Sequence, residues 1–173
     1  IGTYKEGIYR LNLNTGKWNN DRHSQQTPHT IPSNDVLSLY QGHDGTIYVG
    51  TNIGLCRYRA ETDNFLPIIQ VGAMTAVTDI LEDSHQHLWI ATSNSGVFKM
   101  INLNAESTVW NHYKKTNQNT NSIISNSITS LFEDKDDRMW FGTNESRICR
   151  FSEPTGHFST LLPGSRTPLT GNM

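Results

Sequence analysis

The sequence contains only two cysteines in 173 residues, and it has no apolar run long enough to cross a bilayer, which needs roughly 20 residues. Its charge is nearly balanced, with 14 Lys and Arg against 16 Asp and Glu and a formal net charge of −2. This balance gives no electrostatic reason to bind DNA or RNA, so we expect no nucleic-acid partner. A chain of this length can nevertheless bury a sizeable core.

Sequence signatures of catalysis and metal binding are missing or incomplete. The chain has no Gly-x-Ser-x-Gly, Walker A or Gly-x-Gly-x-x-Gly pattern. His85-Gln86-His87 has metal-ligand chemistry but stands alone on a predicted hairpin, and a site needs about three or four ligands. Asp134-Lys135-Asp136-Asp137 begins like a calcium loop but lacks the later glycine and glutamate. We therefore expect no catalytic residue, no metal and no cofactor in this region.

The chain does contain a repeated pair of short hydrophobic strands. The two strands of a pair lie eight residues apart, and the second ends in a small residue followed by threonine. The pairs are 36–39 with 47–51, 77–80 with 88–92, and 128–131 with 139–143, and a shortened copy opens the chain at Ile1-Gly2-Thr3. The threonines at 3, 51, 92 and 143 give periods of 48, 41 and 51 residues. Short strands repeating at this length indicate a propeller.

Each repeat is interpreted as four strands, A to D, joined by turns rich in Gly, Asp and Asn. The predicted fold is all-β, a propeller of four-stranded antiparallel blades. We predict strands B to D of an incomplete blade in 1–32, blades in 33–73, 74–124 and 125–170, and the start of another blade in 171–173. Because a closed ring needs roughly four to eight blades, we expect a fragment of a larger ring or a pairing of two copies.

Aromatic and small residues alternate on one face of strand B. The aromatic residues are Tyr48, Trp89 and Trp140, and the small residues are Gly2, Gly50, Ala91 and Gly142. A bulky ring beside a gap allows neighbouring sheets to interlock, so Trp140→Ala is predicted to cost about 3–5 kcal/mol. Cys56 and Cys149 occupy equivalent positions two repeats apart and are predicted to be apolar fillers rather than a disulfide.

The segment Leu-Trp-Ile-Ala-Thr-Ser-Asn-Ser-Gly-Val-Phe-Lys at 88–99 resembles the two-component regulator propeller repeat. The preceding 79–83 and the equivalent 130–134 and 139–144 fit the same pattern, whereas the first copy has Gln41-Gly42 for Glu-Asp and Tyr48 for Trp. The last copy has Arg147 in place of the motif glycine, so the sequence does not determine the backbone conformation of its B–C loop. The resemblance implies seven-bladed propellers in the extracytoplasmic half of hybrid two-component sensors, with a membrane helix and a histidine kinase elsewhere in the parent.

The resemblance further implies a receptor for glycan fragments, so we expect a periplasmic location and an oligosaccharide ligand bound without covalent chemistry. A homodimer is a further expectation, and contact with the membrane is expected only through other parts of the parent. Two rival functions remain open. One is a propeller enzyme, a glycan lyase or hydrolase with its catalytic residues in other blades, and the other is a protein-interaction scaffold.

The candidate ligand-binding residues lie on the B–C loops and the D–A connections, which share one end of the blades. D–A connections vary in length while the A–B spacing is fixed, as is common for binding faces. The candidates are Lys5, Glu6, Asn52, Asn94, Asn144, Glu145, Arg147, Tyr113 and Lys114. Asn also tolerates left-handed turns, and polar loops are often merely solvated, so purely structural roles stay open for these residues.

A basic residue recurs in strand C of every repeat, at Arg10, Arg57, Lys99 and Arg150. One interpretation is a ring of anion-binding groups for a sulfated or uronic glycan. The interpretation we favour is an ion pair between blades, because the position lies within a strand rather than at a loop tip. The expected partners are Glu82, Asp83, Glu133 and Asp134.

Overall fold

A computed structural model describes residues 1–68, 71, 75–101 and 109–161. Within these residues the chain forms fourteen short strands. They are β1 (Ile8–Leu11), β2 (Trp18–Asp21), β3 (Val36–Gln41), β4 (Ile47–Thr51), β5 (Gly54–Arg59), β6 (Asn64–Ile68), β7 (Val77–Glu82), β8 (Leu88–Thr92), β9 (Val97–Ile101), β10 (Val109–Tyr113), β11 (Ile128–Glu133), β12 (Met139–Thr143), β13 (Ile148–Ser152) and β14 (His157–Leu161). No helix among the described residues has the length and apolar character needed to span a membrane.

The strands form three four-stranded antiparallel sheets and one two-stranded sheet, each in chain order. We call them unit 1 (β1–β2, with an isolated bridge between Gly2 and Ile8), unit 2 (β3–β6), unit 3 (β7–β10) and unit 4 (β11–β14). Strands A to D of the sequence analysis correspond to successive strands of a unit. The all-β prediction of four-stranded antiparallel blades is therefore confirmed, while the predicted start of a further blade at 171–173 lies outside the described residues.

The hydrophobic core lies between neighbouring sheets rather than inside any one of them. The largest cluster joins Trp89 and Val97 of unit 3 to Phe141, Phe151 and Phe158 of unit 4. Trp89 is fully buried, with edge-on ring contacts to Phe141 and Phe151 at centroid distances of 5.4 and 5.2 Å. Units 2 and 3 are each covered on both faces, so their inner strands are apolar at adjacent as well as alternate positions.

The predicted interlocking of small and bulky residues is present at the interfaces. A Cβ built at Gly50 would lie 2.7 Å from Cγ1 of Val77, and one at Gly2 would lie 2.6 Å from Cγ1 of Val36. In both cases the β-branched residue that begins strand A fills the gap left by a glycine of the preceding unit. Trp140 departs from the prediction, because it is only partly buried and lines an open groove at the outer face of unit 4. The large cost predicted for Trp140→Ala therefore belongs to Trp89 instead.

The D–A connections of units 1 and 3 are ordered straps that tie each unit to the next. One strap is 24–36 and the other is 116–128. The hydroxyl of Thr30 bonds the backbone N–H and carbonyl of Ser24, and the hydroxyl of Ser122 bonds those of Thr116. Ile31 and Ile123 at equivalent positions of the two straps are fully buried. The carbonyls at His29 and Asn121 accept backbone N–H groups from β6 and β14 of the following units, each at 2.8 Å.

Candidate functional site

The B–C loops of all four units are held in one frame by the recurrent threonine. The hydroxyls of Thr3, Thr51, Thr92 and Thr143 each donate to the carbonyl of the residue that ends the loop, at 2.8, 2.9, 2.8 and 3.0 Å. In units 1, 3 and 4 the same carbonyl also accepts the backbone N–H of the threonine, so each loop is closed by two hydrogen bonds. The loops 4–6, 52–53, 93–95 and 144–146 consequently lie at one common end of the sheets.

Arg147 does not disturb this frame. Gly7 and Gly96 at the equivalent position have φ of 78° and 76°, a left-handed conformation that costs a side chain roughly 1–2 kcal/mol. In unit 4 the left-handed step moves one residue earlier, to Ser146 with φ of 55°, and Arg147 still accepts from Thr143. A one-residue shift of the left-handed position therefore explains the backbone conformation of this loop.

Asp35 links Lys5 and Asn52 across the interface between units 1 and 2. One oxygen of this carboxylate accepts the backbone N–H of Lys5 at 2.9 Å, and the other accepts Nδ2 of Asn52 at 2.8 Å. Oδ1 of Asn52 is buried and makes no hydrogen bond within the described part of the chain. The Lys5 ammonium lies 5.1 Å from the ring centre of Tyr4, which is itself 69% exposed.

The remaining B–C candidates are exposed and lie on units 1, 3 and 4. Glu6 accepts Nη1 of Arg22 at 2.6 Å, Asn94 accepts the hydroxyl of Ser95, and Glu145 accepts the hydroxyl of Ser125. The exposed candidates are Glu6, Asn94, Asn144, Glu145 and Arg147. The structure gives these loops the common orientation that the sequence predicted, with polar side chains facing solvent.

Tyr113 lies elsewhere. Its ring packs inside the interface of units 3 and 4, with centroids 5.9, 5.2 and 5.3 Å from Trp89, Phe151 and Phe158. Burial raises the pKa of its hydroxyl. A ring whose faces are occupied in this way cannot also stack on a sugar, and we do not carry Tyr113 into the proposed site. Lys114, the next residue, is exposed.

At Arg10 and Lys99 the basic position of strand C forms inter-unit ion pairs, but the predicted partners were wrong. Arg10 pairs with Asp63 in the C–D turn of unit 2 at 2.8 Å and with Asp21 of its own unit. Lys99 pairs with Glu153 in the C–D turn of unit 4. The expected acids were Glu82, Asp83, Glu133 and Asp134. The glutamates instead bond the hairpin of the preceding unit, and the aspartates bond their own hairpin. The anion-binding interpretation loses its basis at Arg10 and Lys99, whose charges are already paired.

The Glu-Asp pair at the end of strand A has two separate roles, which the sequence analysis missed. The glutamate reaches the preceding unit: Glu82 accepts the backbone N–H of His43, and Glu133 accepts that of Ser84, both at 2.9 Å. The aspartate organises its own hairpin, since Asp83 accepts the indole N–H of Trp89 at 2.7 Å and the backbone N–H of His85 at 3.0 Å.

The same two roles explain the departure in unit 2. Here Gly42 replaces the aspartate and Tyr48 replaces the tryptophan. Without an indole N–H, this hairpin needs no carboxylate acceptor. A Cβ at Gly42 would lie 2.9 Å from Oε2 of Glu82, which occupies the space that the missing side chain leaves.

Asp83, His87 and Glu153 offer ligand atoms within 4.8 Å of one another, so the hairpin histidine is not alone as its sequence suggested. Asp83 already accepts four hydrogen bonds, from two backbone N–H groups, the His87 ring and Trp89. The ammonium of Lys99, which is 2% exposed, lies against Glu153 and 4.8 Å from the Trp89 ring centre. Burial lowers the pKa of Lys99. The cluster thus contains its own cation and ties units 3 and 4 together.

The carboxylate of Asp134 makes the free energy of unfolding depend on pH. Partial burial by itself would raise its pKa, but hydrogen bonds from Trp140 and Arg138 outweigh burial and hold the pKa far below the ordinary 3.8. A carboxylate whose pKa is lower in the folded state contributes its full stabilisation above the unfolded-state pKa. This stabilisation is lost as the pH falls through the folded-state pKa. We therefore expect the free energy of unfolding to fall as pH drops from about 5 to 2. Urea unfolding across this range should show a shallower fall in Asp134→Asn, and an unchanged slope would contradict the assignment.

Comparison with known families identifies the repeat. The two component regulator propeller family matches residues 30–52, 73–94 and 122–145, which contain strands A and B of units 2 to 4. Histidine kinase P4 of Formosa agariphila is 34% identical over 89 residues, which is 46% of this chain and 6% of that protein. The chain therefore spans only a small part of the length of this relative.

Solved structures share the fold. The extracellular domain of a candidate hybrid two component system from B. thetaiotaomicron superposes with a TM-score of 0.64 at 20% identity, over 76% of this chain and 19% of that chain. Virginiamycin B lyase from Staphylococcus aureus gives a TM-score of 0.62 at 13% identity, over 92% of this chain and 49% of that chain. At these identities the likeness establishes the fold and leaves function to the site.

Proposed function

Because this chain is built of two component regulator propeller repeats, we propose that it forms part of the extracytoplasmic ligand-sensing region of a hybrid two-component sensor. Its role is to bind an oligosaccharide without covalent chemistry and to pass the signal to a cytoplasmic kinase. The matching repeats and the histidine kinase relative support this assignment. The periplasmic location follows from the same proposal and agrees with the extracellular origin of the B. thetaiotaomicron neighbour.

The observation that carries the proposal is the common frame of the B–C loops. Four threonine hydroxyls fix four loops at one end of the sheets, and the loops 4–6, 93–95 and 144–146 expose amide, carboxylate or ammonium groups. Sugar hydroxyls are recognised by such donors and acceptors, and Tyr4 adds an exposed ring for the C–H face of a sugar. A rigid scaffold that positions polar loops is suited to reading a ligand of many hydroxyls.

A ligand transmits a signal only if it binds one arrangement of the receptor better than another. The proposed mechanism is that glycan bound at the loop end changes the relative orientation of paired propellers. In this mechanism the repeats contribute geometry, and the chemistry of signalling belongs to the kinase.

Isothermal titration calorimetry of the intact ectodomain against a panel of oligosaccharides tests the proposal. We expect one glycan class to bind, and the double variant Lys5→Ala, Asn144→Ala to weaken that binding at least about tenfold, or 1.4 kcal/mol. Lys17→Ala, exposed in the C–D turn at the opposite end of unit 1, is the matched control and should bind normally. Absence of heat with every glycan would contradict the proposal, and turnover of a bound glycan would favour the enzyme alternative.

A further inference from the structure

Lys99 carries an amino group that is buried almost completely between units 3 and 4. Its side chain is 2% exposed, and Nζ lies 4.8 Å from the ring centre of Trp89 and 5.7 Å from that of Phe151. Burial lowers the pKa of Lys99, because it disfavours the ammonium relative to the neutral amine, and the nearby charge of Asp83 offsets only part of this effect. A neutral primary amine is a nucleophile, whereas an ammonium is not.

The hydrogen bonding of Lys99 differs from that of its equivalent in unit 1. Arg10 donates to both carboxylate oxygens of Asp21 in its own unit. The strand register places Tyr113 of unit 3 where unit 1 has Asp21, so this second acid is missing beside Lys99. The ammonium has three N–H groups, yet Oε1 of Glu153 is its single hydrogen-bond acceptor among the described residues.

A histidine lies beside the contact between Lys99 and Glu153. Nδ1 of His87 is 3.9 Å from Oε1 of Glu153 and 3.1 Å from Oδ2 of Asp83. The Asp83 carboxylate orients the ring, and the His87 side chain is 22% exposed, so it can exchange protons with water. A histidine held in this way within a small shift of a reacting oxygen is suited to general acid–base catalysis.

We propose that Lys99 and Glu153 condense into an isopeptide bond, which joins strand C of unit 3 to the C–D turn of unit 4. The Lys99 ammonium first gives one proton to the Glu153 carboxylate by way of His87. The amine then attacks the carboxyl carbon, so that a C–N bond forms and one C–O bond breaks. The departing oxygen leaves as water, together with two of the three protons that began on Nζ.

Two features favour the amide over the ion pair. The fold holds the amine and the carboxyl group in contact, and well-oriented groups within one molecule reach effective concentrations on the order of 10⁵ M or more. The amide is also uncharged, so its formation removes the cost of keeping an ammonium among aromatic rings. Glu153 is 45% exposed, which lets the released water escape.

Glu153 is the reacting acid rather than Asp83. The oxygens of Asp83 already accept two backbone N–H groups, the His87 ring and the Trp89 indole. Attack on its carboxyl carbon would break this set of hydrogen bonds, whereas Glu153 has no such set to lose among the described residues. The inference concerns the link between two units and is independent of which ligand the B–C loops bind.

Intact-protein mass spectrometry tests the proposal, because condensation removes one water, about 18 Da. We expect the folded protein, kept at neutral pH after purification, to lose this mass. A protease digest should then contain one branched peptide, and tandem fragmentation should place the branch between Lys99 and Glu153. Lys99→Arg keeps a cation against Glu153 but lacks the primary amine, so its mass should not change.

Two further variants separate the bond from a plain ion pair. Glu153→Gln is expected to form the same amide with loss of ammonia, about 17 Da, so its product should have the same mass as the condensed unsubstituted protein. Arg10→Lys is the matched control, because it sets an amine against Asp63 where the two native side chains are 29% and 63% exposed. Without burial to favour the neutral amine, we expect no condensation there.

An unchanged mass of the folded protein would overturn the inference, provided that Lys99 reacts with an amine-labelling reagent once the protein is unfolded. The pair would then be purely ionic. A branched peptide that joins Lys99 to Asp83 would also overturn it, because the reacting acid would then be the wrong one.

Discussion

Trp89→Ala is expected to lower the free energy of unfolding by about 3–5 kcal/mol, the largest loss from any single aromatic residue of the chain. The Trp89 ring is fully buried between units 3 and 4, where it contacts Phe141, Phe151 and Tyr113. Its removal leaves a cavity and also deprives Asp83, which is 2% exposed, of a 2.7 Å hydrogen bond. Urea unfolding followed by circular dichroism measures the loss.

Two variants separate the contributions to this loss. Trp89→Phe keeps an aromatic ring but removes the indole N–H, so we expect a loss of about 1–2 kcal/mol from the missing hydrogen bond to Asp83. Trp140→Ala removes the equivalent side chain from a partly exposed position and should cost only about 1–2 kcal/mol. Equal losses at Trp89 and Trp140 would show that burial between units does not determine stability.

Gly96→Ala is expected to be the second severe substitution, with a loss of about 2–5 kcal/mol. Gly96 has φ of 76°, and a Cβ there would lie 2.1 Å from the backbone carbonyl oxygen of Tyr113. Strain in the left-handed region and a clash with backbone therefore act together. Because the Tyr113 carbonyl belongs to the end of β10, the clash can be relieved only by moving a strand.

Gly156→Ala provides the matched control for Gly96→Ala. Gly156 has φ of 67° but no atom within 4 Å of a built Cβ, so only the strain remains and the loss should be about 1 kcal/mol. Thermal or urea unfolding of both variants isolates the effect of close packing. A loss at Gly156 as large as that at Gly96 would contradict the steric explanation.

The repeat pattern was sufficient to predict the strands because a blade packed between two others has a distinctive pattern of apolar residues. Strand B is apolar on both faces and ends in a small residue, which no amphipathic helix or solvent-exposed strand requires. The interlocking of Gly50 with Val77 follows from the same pattern. The exposure of Trp140 could not be predicted from its motif, since Trp89 occupies the same motif position and is buried by the unit packed against it.

The partners of the basic position could not be predicted, because they lie in turns of different length. Asp63 follows Arg57 by six residues, whereas Glu153 follows Arg150 by three, so no fixed spacing marks the acid. The straps were predictable in principle: 24–36 and 116–128 align without gaps and share a hydroxyl, an isoleucine and a Ser-Asn pair.

The candidate site was predicted in outline only. Polar B–C loops at one end of the sheets follow from strand order, and the structure adds the threonine hydroxyl that holds each loop. The ring of Tyr113 shows the limit of inference from residue type, because an aromatic residue near a loop can as readily complete the core.

The straps also determine how the molecule should come apart. In a simple array, each repeat contacts its neighbour through one interface and can be lost from an end independently. Here Ile31 and Ile123 anchor the last segment of one repeat beneath the outer strand of the next, so neither repeat can unravel without exposing the other's core. Units 1 and 2, and likewise units 3 and 4, should therefore melt as cooperative pairs.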